Sequence, residues 1–155
     1  MARGALVEPL KTEACCKFDN HEMSQPSVPV LNSSDLVELG RLSRAPHGCA
    51  TCSELVCPGW ESLSSAFPRS RLQRIGTLRR PGVDEPTLRE HHPAGTHSWS
   101  PDAPIAPEFF PYNRYDVWQC VSCARAFLRY TEFGGYYEDE RIRELNAELV
   151  DDASA

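Results

Sequence analysis

The stretch DVWQCVSCARAFLRYTEFGGYY, residues 116 to 137, decides how the chain is read. Cys120 and Cys123 stand between two runs rich in Tyr, Val, Trp, Phe and Thr, 115–120 and 124–131. Such side chains fit a pleated, half-buried surface, so both runs are predicted to be strands with the cysteines at the bend between them. Gly134 and Gly135 supply backbone freedom for a second turn. YYEDERIREL then follows as a third strand, giving an antiparallel meander. A helix competes for this last segment, because Ile142, Leu145 and Leu149 recur at helical spacing. The expectation is a strand to about residue 143 and an irregular acidic tail after it.

A single CxxC is ambiguous between half a metal site and a redox dithiol. Here a matching half exists: Cys49 and Cys52 lie in APHGCATCSELVCPGW (45–60), a turn-rich stretch punctuated by glycine and proline. Two residues between cysteines let a tight turn aim both sulfurs at one ion about 2.3 Å away. Two such knuckles complete a tetrahedral shell of four thiolates, which suits one structural Zn²⁺. Cys57 and His47 are alternative ligands by proximity in sequence. A thioredoxin-like dithiol opens a helix after a strand, which neither pair does on this reading. Unligated cysteines packing as small hydrophobes are the bland alternative. Cys15 and Cys16 are adjacent and read as bystanders.

The two knuckles and the hairpin after the second resemble a zinc ribbon. The resemblance departs from the compact pattern in one respect: 67 residues separate Cys52 from Cys120, against roughly 15 to 20 in the usual spacing. A large insertion between the knuckles accommodates this. The run from PYNRYDVWQC to GGYY is also similar to small bacterial proteins of unassigned function, a likeness that implies no activity.

Outside the cysteines the chain reads as loop-rich. Its 155 residues carry 13 prolines and 9 glycines, which argues for short elements. The fold class expected is α+β, mainly β, with a small antiparallel sheet stapled by the Cys₄ site. Residues 1–32 are read as a mobile or loosely docked segment, 33–150 as one zinc-stapled domain and 151–155 as a tail. SSDLVELGRL gives a two-turn helix over about 34–43, with Ser33 or Ser34 as N-cap. RLQRIGTLRR (71–80) reads as a strand or short amphipathic element, and DEPTLREHH as one helical turn. Prolines 93, 101, 104, 107 and 111 keep the next stretch irregular.

Charge bounds the function classes. A net charge of −6 argues against a general nucleic-acid binder, which needs a basic surface. It suits a protein with a protein partner of basic character. No segment approaches the roughly 20 apolar residues of a membrane span, and seven cysteines without a signal-like leader point to the reducing cytoplasm.

Two further clusters stand out. Arg69, Arg71, Arg74, Arg79 and Arg80 fall in a run with no acidic residue between Glu61 and Asp84. They read as a partner or nucleic-acid contact, or more plainly as a face neutralised by the acidic end, with Arg71 or Arg74 near Glu138 or Glu140. Glu90, His91, His92, His97 and Asp102 bring acid–base and metal-ligating groups together, but without a helical ligand spacing such as H-E-x-x-H. The functional expectation is a non-catalytic zinc-binding protein acting as an adaptor, regulator or inhibitor-like partner of a macromolecule. The alternatives are a nucleic-acid-binding zinc ribbon using the 69–80 run and a metal-dependent enzyme using the 90–102 loop.

Overall fold

The alternation read in the last third of the chain produces a sheet. In the computed structural model, which describes residues 27–43 and 48–155, strands β3 (Asp116–Cys120), β4 (Ala126–Phe133) and β5 (Glu138–Glu144) form the expected antiparallel meander. β2 (Leu72–Thr77) adds antiparallel to β3, and the two-residue β1 (Glu61–Ser62) adds antiparallel to β5. The sheet order is β1-β5-β4-β3-β2. This is an α+β fold, mostly strand and loop, with one α-helix among the described residues.

Successive side chains of a strand face opposite ways, so the sheet builds two cores. Val117, Ala126, Leu128 and Leu145 belong to one, with Leu36, Trp60, Ile105, Tyr112 and Tyr115. Leu72, Cys120, Phe127 and Ile142 belong to the other, with Cys52, Leu55, Cys57, Leu63 and Phe67. The helical spacing of Ile142 and Leu145 is therefore coincidental: the two residues serve opposite faces of one strand and its extension. A 3₁₀ turn at Ala147–Leu149 follows, where an irregular tail was expected.

Helix α1 (Ser33–Leu42) forms where the sequence places it, but its cap is Asn32. Asn32 accepts from the Asp35 amide at 3.0 Å, and Asp35 accepts from the Asn32 amide at 2.8 Å. That reciprocal pair satisfies two amide donors at the helix start, which a serine one residue later does not match. Gly40 lies inside the helix. It is buried against the Ala147 turn, and a Cβ there would stand 2.7 Å from the Ala147 nitrogen.

DEPTLREHH is not a helical turn; the segment runs irregularly. Its carbonyls are bonded from across the fold: Asn113 Nδ2 donates to the Thr87 carbonyl at 2.9 Å, Arg114 Nη2 to Pro86 at 3.0 Å, and the Phe110 amide to Arg89 at 2.8 Å. Of the N-terminal segment 1–32, residues 1–26 lie outside the described residues; Val30 bridges Thr77 in parallel. In the segment 151–155, the Asp151 amide bonds the Ile105 carbonyl at 3.0 Å. No described helix is long and apolar enough to cross a membrane.

Candidate metal centre

Each cysteine pair sits in a hydrogen-bonded turn. In the first, the Cys52 amide donates to the Cys49 carbonyl at 3.2 Å and the Leu55 amide to the Cys52 carbonyl at 3.0 Å. In the second, Cys120 ends β3, its amide bonds the Arg125 carbonyl at 2.9 Å, and the Ser122 amide points at the Cys120 sulfur at 3.5 Å. The knuckles meet across the second core. Cys49 Sγ lies 3.8 Å from Cys120 Sγ, and Cys52 Sγ lies 3.7 Å from Cys123 Sγ. All four sulfurs fall within 4.8 Å of one another, a group that could hold a metal ion.

The spacing discriminates between chemistries. A disulfide needs about 2.05 Å between sulfurs, whereas thiolates about 2.3 Å from a shared ion stand about 3.8 Å apart at the corners of a tetrahedron. The two short separations match the second case. Residues between the cysteines also touch: Thr51 and Ser122 hydroxyls lie 2.7 Å apart, closing the outer side.

Protonation follows the same geometry. The Thr51 amide leads in pulling the Cys49 thiol down to about 6, while burial pushes Cys52 up to about 12 and raises Cys123. A bound cation would favour the thiolate at all four positions, so loading releases protons. Cys57 stands outside the four; it is buried, and burial pushes its thiol up to about 12. His47, Cys15 and Cys16 lie outside the described residues.

Two arginines serve the site without having stood out in the sequence as doing so. Arg125 donates to the Cys52 carbonyl at 3.1 Å and the Leu55 carbonyl at 2.8 Å, reaches the Cys52 sulfur at 3.9 Å, and pairs with Glu144 at 2.6 Å. It clamps the first knuckle to β5 and brings positive charge to the Cys52 sulfur. The only sequence signal is a cation placed two residues after Cys123. Arg71 spans both knuckles: its carbonyl accepts from the Val121 amide at 3.0 Å, and its Nη1 donates to the Thr51 carbonyl at 3.4 Å and to Glu54 at 2.6 Å.

The remaining arginines of the 69–80 run also have carboxylate partners. Arg69 pairs with Glu140 and Arg80 with Glu108, while Arg74 and Arg79 reach Asp116 at 2.9 and 3.8 Å. The expected docking of Arg71 or Arg74 on Glu138 or Glu140 is corrected: only Arg69 of the run reaches β5. The reason is register, since Arg74 stands opposite Trp118 on β3, beside Asp116.

Of the 90–102 cluster only Glu90 and His92 meet. His91 bonds Asp151 at 2.9 Å and stacks on Phe109, and His92 bonds Thr96 at 3.0 Å and Glu90 at 2.9 Å. His97 and Asp102 are exposed. No protein-family model, no curated protein and no solved structure matches the chain.

Proposed function

We propose that the chain is a non-catalytic zinc-binding protein of the cytoplasm, acting as an adaptor, regulator or inhibitor-like partner of a macromolecule. The observation that carries this reading is the gathering of four cysteine sulfurs within 4.8 Å at the seam between two knuckles. Soft thiolates favour Zn²⁺, and four protein ligands fill its tetrahedral shell, leaving no position for a substrate or water. Cys49, Cys52, Cys120 and Cys123 would hold the ion, and the chemistry it would supply is structural. Arg125 and the knuckle amides would offset the surplus negative charge of four thiolates on a divalent cation. On this reading the knuckles are those of a zinc ribbon interrupted by an insertion carrying β1, β2 and the proline-rich loop.

A binding role is favoured over catalysis because the titratable groups of the 90–102 loop are dispersed among structural partners. It is favoured over nucleic-acid recognition because every arginine of the 69–80 run faces a carboxylate. Elemental analysis of freshly purified protein tests the metal: about one zinc per chain is expected. Metal-free protein whose fold is indifferent to chelators ends the reading.

A further inference from the structure

The carboxylates left over from this pairing lie beside the largest exposed aromatic group. In the β4–β5 hairpin Phe133 is 76% exposed, Tyr136 fully exposed and Tyr137 56% exposed. Single exposed apolar residues are ordinary, but three large rings within five positions are not. The loop that carries them is ordered by its own bonds. The Gly134 amide donates to the Tyr137 carbonyl at 2.8 Å, and the Tyr137 hydroxyl donates to Glu132 at 3.3 Å. The Tyr137 ring lies so close over Gly134 that a Cβ there would stand 2.3 Å from it. Below the tip, Arg141 ties Glu132 at 2.9 Å to Asp139 at 3.0 Å across the strands.

Phe133 also forms one wall of a groove of about 890 Å³, together with the exposed Val83 and Leu88. On the hairpin side of this apolar surface carboxylates outnumber cations. Glu132 and Asp139 share the single Arg141, and Glu138, Asp84 and Glu85 make no ion pair among the described residues. The cations on the groove's other side are engaged: Arg79 with Asp116, Arg80 with Glu108, and Arg114 with the Pro86 carbonyl, over the Phe110 ring.

We propose that the hairpin tip and the adjoining groove form the docking surface for a basic protein segment, one carrying arginine or lysine beside an apolar side chain. The proposal rests on the reading of the chain as a binding protein. A guanidinium or ammonium would lie over the exposed rings and pair with Glu138, Asp84 or Glu85. The apolar neighbour would enter between Phe133, Val83 and Leu88. A preordered ring such as Tyr137 loses little entropy on contact, and aromatic rings dominate binding energy at protein interfaces. A second copy of this chain would bring like charges together, and a nucleic acid would bring phosphates to the same carboxylates; both are disfavoured.

The test uses the full zinc-loaded chain and a defined probe, a Gly-Ser-spaced peptide with three arginines and two leucines, followed by amide NMR shifts. The expected result is perturbation confined to 83–88 and 131–139, with affinity at least about fivefold weaker in Phe133→Ser and Tyr136→Ser. Both side chains are exposed, so both variants keep the parent melting temperature. A matched peptide with glutamate in place of arginine leaves the spectrum unmoved. Binding at another surface, equal binding by the variants or by the glutamate peptide, or no binding, overturns the proposal. So does concentration-dependent self-association that Tyr136→Ser abolishes. Those outcomes leave the metal content and its structural role untouched, so failure here is distinct from failure of the broader reading.

Discussion

On one face of the sheet, Val117, Ala126, Leu128 and Leu145 pack on Leu36 and a group of rings: Trp60 and Tyr115 at 4.5 Å, Tyr115 and Tyr130 at 4.2 Å. On the other face, Leu72, Phe127 and Ile142 meet a loop whose apolar content is Leu55, Leu63 and Phe67, with Cys52 and Cys57 filling the rest. The first face is closed by area and aromatic packing, which needs no ligand. The second is covered by a segment with little regular structure, whose attachment runs through the sulfurs, two arginines and the short β1–β5 pairing. The two faces therefore teach different things about stability: one is a core, the other a core with a clasp. Breaking the clasp should unmake one face before the other.

The largest effect is expected from Cys120→Ser or from a strong chelator. If the four cysteines hold a structural metal as proposed, the variant should lose it and about 4 kcal/mol or more of stability, because ligand loss at a small structural site is loss of folding energy. Trp118 lies on the clasp face and Trp60 in the aromatic core. In fluorotryptophan-labelled protein, chelation should move the Trp118 resonance while Trp60 holds its position. Simultaneous loss of both would show that the faces are one cooperative unit, and movement of neither would break the comparison.

The next effect belongs to the aromatic face. Arg143 is fully buried and donates to the carbonyls of Pro58 at 3.2 Å, Pro101 at 3.1 Å and Ala103 at 2.8 Å, and to the Tyr112 hydroxyl. It pins the proline-rich loop over the sheet. Arg143→Met should cost at least about 3 kcal/mol, since it strands several buried acceptors. Arg143→Lys should recover little, because an ammonium lacks the planar fork that meets acceptors in different directions. Denaturant unfolding with a native-like slope measures both. A loss under about 1 kcal/mol in the Met variant would mean the loop is held by packing alone.

Arg143 also marks the limit of what the sequence discloses. The meander, the short helix and the irregular proline-rich stretch are legible because each depends on local chemistry: β-formers around turns, a polar helix start whose cap lies at Asn32 rather than at Ser33 or Ser34, and prolines. The paired CxxC is legible because the geometry of a knuckle is encoded in its spacing. In EDERIREL, by contrast, Arg141 and Arg143 look alike, two cations flanking one isoleucine on what reads as a wet face. Only the path of residues 99–115 across that face separates them. It leaves Arg141 22% exposed beside two carboxylates and covers Arg143 completely. Arg125 escaped notice for the same reason: its partners, Cys52, Leu55 and Glu144, are assembled by contacts distant in sequence.

A smaller effect on the aromatic face tests how closely α1 is seated. Alanine at position 40 would gain up to about 1 kcal/mol of helix propensity. Its Cβ, however, would meet the Ala147 nitrogen at 2.7 Å and Cα at 2.9 Å, backbone atoms that cannot turn aside. Overpacking of this kind costs about 1 to 3 kcal/mol, so Gly40→Ala should lower the melting temperature by several degrees. A raised melting temperature would show that the helix has room to move off the Ala147 turn.

The smallest effect concerns acid. Glu140, on the clasp face, is paired with both Arg129 and Arg69. Burial alone would raise its carboxyl, but the two guanidinium groups more than offset that and hold it below the usual range. A carboxyl whose folded pKa is lowered stabilises the fold at pH above its unfolded value, about 4.3. That contribution fades as pH falls through the folded value, because the unfolded chain takes up the proton first. Glu140→Gln should therefore cost about 1 kcal/mol at neutral pH, the scale of partly exposed pairs, and the deficit should shrink steadily below about pH 5. Acid would also strip a thiolate-bound metal by protonating the thiols, but it would do so in both proteins. The difference between their unfolding free energies isolates the carboxylate, and a difference constant from pH 7 to pH 3 would mean that Glu140 acts through shape and hydrogen bonding rather than charge.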